Sequence, residues 1–326
     1  MLRKLLPILL PLTLFADEAR LHEFKHDVEA WLTGPIVTPS GVVVQAGHYN
    51  IESYAYANVY SANYNNHWAL EDKPNFLAFQ SQTFFQLGLC SWADIQFAPS
   101  LTWQYHEHAG AWSVNDVPVI LDFQLYRNKG TGFEWCPSFR FSVGEVVPVG
   151  KYRNLRVDKH TTDSGGGGSW ITFAQLGFSN IHRFGDHFLV YRVNGQVNFP
   201  APVHVKGFNA YGGSFDTDGT LWPGINAFAS VGLEYTLTQN WVLALDVVGK
   251  WSAKNRFTGD GGTTEDRNRG NPVQILGPSA IQYSLAPAVE YNFSAHLGII
   301  AGVWFSVAGK NNTQFNSGVM ALNYYH

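Results

Sequence analysis

Hydrophobic and polar positions alternate with a period of two over most of this chain. Between Trp241 and Trp251 one parity is mostly apolar, whereas the other carries Asp246 and Lys250. Successive side chains of a β-strand point to opposite faces, so such a segment has one face in an apolar medium and one in a polar medium. Many segments of this kind predict an all-β fold, a transmembrane antiparallel up-and-down β-barrel with lipid outside and a polar interior.

The alternation divides into about twelve strands, and an even number is expected for a single-chain barrel. Short turns and long connections alternate between them, as periplasmic turns and outer loops do in such barrels. The barrel is therefore expected over residues 47–326, with both termini at the periplasmic end. The predicted strands are residues 47–60, 76–88, 93–106, 115–126, 133–148, 170–182, 187–200, 224–238, 240–254, 279–293, 295–308 and 313–325.

The long connections are expected outside the cell. They are Ser61–Asn75, Glu107–Val114, Gly150–Ser169, Ala201–Pro223 and Asn255–Pro278. One of them runs into the sequence SGGGGSW at Ser164–Trp170, which lacks the Gly-Lys-Ser/Thr ending of a phosphate-binding loop and is interpreted as a mobile loop tip.

Residues 1–16 have the pattern of a secretory signal peptide. Arg3 and Lys4 precede the apolar run Leu5–Phe15, and Ala16 is the predicted cleavage residue. No later stretch reaches the roughly 18 apolar residues of a membrane helix. The mean hydropathy of −0.11 is compatible with a barrel, because only half of its strand residues face lipid. An exported barrel is expected in the outer membrane of a Gram-negative bacterium, as a monomer in contact with lipid, lipopolysaccharide and the barrel-assembly machinery.

Residues 17–46 do not alternate and are predicted to precede the first strand. A charged stretch that could form a short helix is followed by TGPIVTPSG, which is punctuated by Pro and Gly. Two interpretations remain open: a periplasmic lead-in, or a plug inserted into the barrel. Trp31, Pro35, Pro39 and Gly47 are the candidate plug or mouth residues.

The charged side chains within the strands share one parity, which is assigned to the lumen. Because a base at the lipid midplane costs roughly 2–4 kcal/mol, this consistent parity independently supports the barrel. The side chains are either a selectivity lining, with seven acids against three bases, or cross-strand ion pairs that stiffen the wall. They are Glu52, Asp94, Asp122, Glu134, Arg140, Arg192, Glu234, Asp246, Lys250 and Glu290.

Other chemistries find little support in the sequence. Without Arg3 and Lys4 the chain has 19 basic and 25 acidic side chains, a net charge of −6 that gives no reason to expect nucleic-acid binding. His106 and His108 share one side of a strand, but no third metal ligand is evident. No Ser–His pair suited to hydrolysis is in register. We therefore predict no catalytic residue, metal or cofactor.

Two stretches carry a resemblance to a known family. WLTGPIVTPSGVVVQAGHYNIESYAYANVYSANYNNHW at Trp31–Trp68 and FAQLGFSN at Phe173–Asn180 resemble proteins grouped as the MetA pathway of phenol degradation. The resemblance implies an outer-membrane channel-like barrel that passes small organic compounds, and the family name suggests aromatic ones. It supplies no catalytic residues.

The sequence as a whole predicts a channel or transporter for passive passage or uptake of small solutes. The alternative is a structural or surface-interaction barrel, such as an adhesin, that acts through its outer loops.

Overall fold

The main sheet closes on itself as an antiparallel barrel of twelve strands. The computed structural model describes residues 30–127, 137–262, 275 and 277–326, so the predicted signal peptide and Glu134 lie outside the described residues. Closure is made by β1 and β17, which pair antiparallel from Asn50 opposite Tyr325 to Tyr64 opposite Asn312. Within the described residues, no helix has the length and apolarity needed to cross a bilayer.

Seventeen strands are present in the described part of the chain, and fourteen of them belong to the barrel wall. Their bounds are β1 Tyr49–Tyr64, β2 Leu70–Cys90, β3 Ala93–Phe97, β4 Ser100–His106, β5 Ala109–Val114, β6 Val117–Tyr126, β7 Ser138–Val147, β8 Ile171–Phe184, β9 His187–Pro200, β10 Val203–Lys206, β11 Asp218–Trp222, β12 Asn226–Thr236, β13 Trp241–Ser252, β14 Arg256–Asp260, β15 Ala280–Asn292, β16 Leu297–Lys310 and β17 Asn312–Tyr325.

Two barrel strands are each interrupted once, which is why fourteen segments make twelve strands. Strands β3 and β4 both pair with β2 and are separated by Ala98 and Pro99. Strands β5 and β6 pair with β4 and β3 respectively. Pro has no N–H group to donate to a β-ladder, and the break places Pro99 between two strands and not inside one.

The predicted alternation is present in the wall. Along β13, Trp241, Leu243 and Leu245 are exposed on the outside, whereas Val242 and Asp246 are fully buried. Apolar side chains therefore cover the exterior, and polar ones face inward, as a barrel in lipid requires. The fold predicted from the sequence is confirmed.

Two of the predicted outer loops form an additional sheet. Strands β10, β11 and β14 lie within Ala201–Pro223 and Asn255–Pro278, and pair in that order. They enclose an apolar cluster of Val203, Val205, Leu221 and Ile275, with Tyr152, Tyr211 and Phe257 packed against it. These connections thus fold over the outer end of the barrel and have a small core of their own.

Candidate functional site

Residues 30–46, called here the N-terminal segment, run inside the barrel. Their hydrogen-bond partners are inward-facing side chains of β3, β6, β8, β13 and β15. Ile36 and Val43 are buried, and Ile36 belongs to a lumenal cluster with Tyr54 and Ile300. An extended chain without regular strand pairing leaves its backbone N–H groups to be satisfied by side chains, and the wall supplies these.

Three wall carboxylates accept hydrogen bonds from backbone N–H groups of this segment. Asp246 accepts from Val37 N at 3.1 Å, from Thr38 N at 2.9 Å and from the Thr38 hydroxyl at 2.6 Å. Glu290 accepts from Thr33 N at 2.9 Å. These hydrogen bonds give backbone N–H groups the partners that they would otherwise lack, and they hold a polar backbone in the lumen.

The third carboxylate, Asp94, holds the far end of the segment. It accepts from Val44 N at 2.6 Å and from the Gln86 amide at 2.7 Å. Nearby, Gln124 accepts from Val43 N and donates to Gly41 O, both at 2.9 Å. Since Asp94, Asp246 and Glu290 have essentially no exposed surface, these acids face the segment and not open water.

Glycines of the wall make room for the segment. A Cβ at Gly298 would lie 2.0 Å from the Thr33 hydroxyl oxygen, and one at Gly232 would lie 2.9 Å from both Pro35 Cγ and Thr38 Cβ. Real Cβ atoms do not approach so closely, so a side chain at either position would displace the segment.

The predicted plug or mouth residues follow the same course. The Trp31 carbonyl accepts from the Asn292 amide at 3.1 Å. Pro35 is buried and Pro39 is partly buried inside the barrel. Gly47 is exposed, with φ of +82° and nothing near its Cβ position, so it lies at the mouth, where the chain turns into β1.

The two lumenal arginines are paired with acids on neighbouring strands. Arg140 Nε lies 3.4 Å from Asp122 Oδ1, and Arg192 Nε lies 2.7 Å from Glu234 Oε2. Asp122 also accepts hydrogen bonds from the Gln96 amide and the Ser142 hydroxyl. Each arginine thus lies within ion-pair distance of an acid on the adjacent strand.

Two lumenal charges remain. Glu52 accepts from the Asn323 amide at 2.7 Å, near the end of the barrel where β1 begins. Lys250 lies toward the other end, with its ammonium 4.8 Å from the Trp304 ring centroid and 5.9 Å from that of Phe228. Both distances are in the range of cation–π contacts.

Beside the segment the lumen holds a cavity of about 940 Å³, which extends from Asn50 and Tyr325 at the end where β1 begins to Asn226 and Ser252 at the outer end. The segment forms one side of it, and the wall contributes aromatic and amide side chains together with six charged groups. The charged groups are Glu52, Asp122, Arg127, Arg140, Arg192 and Lys250. The volume of this cavity is in the range of small-molecule sites, and its lining is mixed polar and aromatic.

The glycine-rich connection is hydrogen-bonded to the wall at the outer end of the barrel. Asp116 accepts from Gly150 N and from Gly167 N, both at 2.9 Å, and Gln104 of the inner wall donates to Ser164 O at 2.8 Å. Tyr211 donates to Gly167 O at 2.9 Å, and burial raises the pKa of this phenol to about 12. The sequence interpretation as a loop tip missed these contacts, which tie the connection to the wall.

Sequence reasoning also missed the acceptors that hold the segment. Thr33 and Glu290 are 257 residues apart, and no local pattern signals such a pairing. The one available signal was the run of small and Pro residues before β1, which suits a chain that lies against a wall. Within the described residues, no group of three or more His, Cys, Asp and Glu side chains could hold a metal.

Comparisons with known proteins bear on the fold. No family model and no curated protein sequence matches the chain, so membership of the phenol-degradation family remains a prediction. The COG4313 outer membrane channel from Pseudomonas putida F1 is similar over 89% of this chain and 100% of that one, with a TM-score of 0.66 and 11% identity.

Two further solved structures are more distant. A mutant of the TodX monoaromatic hydrocarbon channel covers 93% of this chain and 99% of its own, with a TM-score of 0.42 and 9% identity. The translocator domain of the autotransporter NalP from Neisseria meningitidis is similar over 86% of this chain and 89% of its own, with a TM-score of 0.41 and 11% identity. The similarity to the COG4313 channel shows the fold, whereas the TM-scores of the two further structures are too low to support a conclusion. With its closed wall and apolar exterior, the chain is a β-barrel of a Gram-negative outer membrane.

Proposed function

We propose that this protein is an outer-membrane channel for passive passage or uptake of small solutes, and that its N-terminal segment is a plug. The observation that carries the proposal is the set of hydrogen bonds from Thr33, Thr38 and Val44 backbone N–H groups to wall carboxylates. A barrel built only as a scaffold could fill its lumen with its own side chains. Here a separate segment occupies part of it instead.

The plug can leave without breaking the wall. Strands β1 and β17 pair directly with each other, and none of the barrel ladders includes residues 30–46. Water can replace the backbone N–H groups as donors to Asp94, Asp246 and Glu290. The cavity beside the plug presents Tyr54, Tyr56, Phe84 and Trp304 among amides, which suits small organic solutes, including hydrophobic and aromatic ones.

The test is the conductance of the signal-free protein in a planar bilayer, compared with a variant lacking residues 17–46. We expect low conductance of the complete chain and steady, larger steps of the deletion variant. Asp246→Ala removes three hydrogen bonds to the plug and is expected to give frequent brief openings of the same size.

The matched control is Asp218→Ala, which removes an acid of the outer sheet whose partners, His204 and Lys206, are exposed. It should behave as the complete chain does. A deletion variant that inserts and gives no current would contradict the channel proposal, because no plug would then remain to explain a closed lumen.

The alternative is a surface-interaction barrel, and the outer sheet of β10, β11 and β14 is the observation that favours it. An ordered sheet with its own apolar cluster could present a binding surface. Deletion of residues 203–222 should abolish binding to a surface partner in that case and leave conductance unchanged.

The remaining parts of the proposal follow from the barrel. A wall closed within one chain needs no second copy, so we propose a monomer inserted by the barrel-assembly machinery and surrounded by lipid and lipopolysaccharide. We propose no enzymatic activity, no cofactor and no nucleic-acid partner.

A further inference from the structure

Lys250 has a different environment from the other lumenal bases. Arg140 and Arg192 each contact an acid, whereas no carboxylate of the described residues lies within ion-pair distance of Lys250. Its ammonium contacts the rings of Trp304 and Phe228 and lines the cavity. Aromatic faces attract a cation, and an ammonium with no carboxylate at contact distance among the described residues is available to bind an anion.

Lys250 also lies away from the acids that hold the plug. It is four residues beyond Asp246 on β13, or about 13 Å toward the outer end at 3.3 Å per residue. The carboxylates of Asp94, Asp246 and Glu290 are covered by the segment and do not line the cavity. Of the six charged groups that do line it, four are basic and two are acidic.

Amide groups complete the surroundings of Lys250. Phe228 pairs with Lys250 on one side and with Gln196 on the other, so these three side chains lie at one level of the wall. Gln196 donates to Asn198 at 2.7 Å, and Asn198 donates to Asn226 at 2.6 Å. This chain of amides ends at Asn226, whose Nδ2 has no hydrogen-bond partner among the described residues and is a second donor lining the cavity.

We propose that the outer half of the lumen binds a small organic monoanion, with the carboxylate on the Lys250 ammonium and an apolar body along the aromatic wall. One ammonium and one amide donor match a single carboxylate, whereas a dianion would call for a second base. The proposal rests on the proposed function and specifies the solute class. It also predicts that a solute from outside meets this site before it meets the plug.

Benzoate is the probe, because it carries one carboxylate on one flat apolar ring, and benzamide is its neutral counterpart. Binding to the complete, folded protein in detergent micelles is measured by equilibrium dialysis, with empty micelles subtracted. We expect benzoate to bind about tenfold or more tightly than benzamide, and Lys250→Met to lose that difference. Lys250→Arg should retain it.

Lys310→Met is the matched control, because Lys310 ends β16 at the outer side and does not line the cavity. It should bind benzoate as the wild type does. Absence of benzoate binding by the wild type would overturn the proposal, as would benzamide binding of equal strength or undiminished binding by Lys250→Met.

Failure of this site and failure of the channel can be told apart. Dialysis needs no flux across a membrane, so benzoate can bind even if the deletion of residues 17–46 gives no current. In that case the binding site stands and the channel proposal falls. If the deletion variant conducts and the complete chain does not bind benzoate, the channel proposal stands and the binding-site proposal falls.

Discussion

At the scale of single residues, inward-facing acids differ in their partners. Arg192 contacts Glu234, and Asp246 accepts from Thr38 N of the N-terminal segment, although the alternation assigns both acids to the same lumenal face. Alternation could predict that these side chains point inward, because a period of two separates the faces of a strand. It could not predict the partner, since that depends on which strands adjoin and on where residues 30–46 lie.

The pair of Arg192 and Glu234 allows a prediction on stability. Glu234 is fully buried, so Arg192→Met leaves a carboxylate without its counter-charge, and we expect the free energy of unfolding to fall by about 3–5 kcal/mol. Unfolding by urea in micelles measures the change. The double variant Arg192→Met with Glu234→Met should lose clearly less, because neither charge is then left buried alone.

Arg156→Met is the matched control, because Arg156 and Asp158 form an exposed pair and such pairs contribute little. A loss in Arg192→Met no larger than in this control would contradict the role given to the buried pair.

At the scale of the elements, strands were predicted well wherever one face of the strand meets lipid and the other meets the polar lumen. The predicted and observed bounds of β9 agree, residues 187–200 in both. Beyond the membrane both faces of a strand meet water, and the alternation disappears. Strand β2 therefore starts at Leu70 and not at residue 76, and β5 occupies most of the predicted connection Glu107–Val114.

The glycine-rich connection allows a prediction at this scale. Asp116→Ala removes the carboxylate that accepts from Gly150 N and Gly167 N, so residues 150–169 should separate from the wall more often. Tryptic cleavage after Lys151, Arg153, Arg156 or Lys159 should then be about tenfold faster in the folded protein.

Asp158→Ala changes an exposed acid of the same connection, whose ion-pair partner is the exposed Arg156 side chain. It serves as the control and should be cleaved at the wild-type rate. Equal rates for both variants would show that Asp116 does not hold the connection.

At the scale of the whole molecule, charge is divided between groups that the N-terminal segment covers and groups that line the open cavity. The carboxylates that hold the segment are covered by it, whereas four of the six charged side chains that line the cavity are basic. If the ten inward charges predicted from the sequence are counted as a selectivity lining, seven acids against three bases favour cations. The charge that a passing ion meets is different once the N-terminal segment covers some of the acids. A covered carboxylate interacts with an ion much less than a carboxylate that lines the open cavity.

Ion selectivity should therefore reverse when the plug is removed. We expect residual current through the complete chain to prefer anions, and current through the variant lacking residues 17–46 to prefer cations, because Asp94, Asp246 and Glu290 then line the path. Reversal potentials in a salt gradient measure both. Asp246→Asn within the deletion variant should weaken its cation preference, and an unchanged preference after deletion would contradict the division of charge.

The covalent connection between the proposed plug and the barrel has a consequence for how closure depends on concentration. The plug leads through the exposed turn at Gly47 directly into β1, so its return to the lumen is an intramolecular step. A short tether corresponds to an effective concentration on the order of millimolar. The closed fraction is then independent of how many copies a cell makes, and a free peptide of the same sequence would need a similar concentration to compete with it.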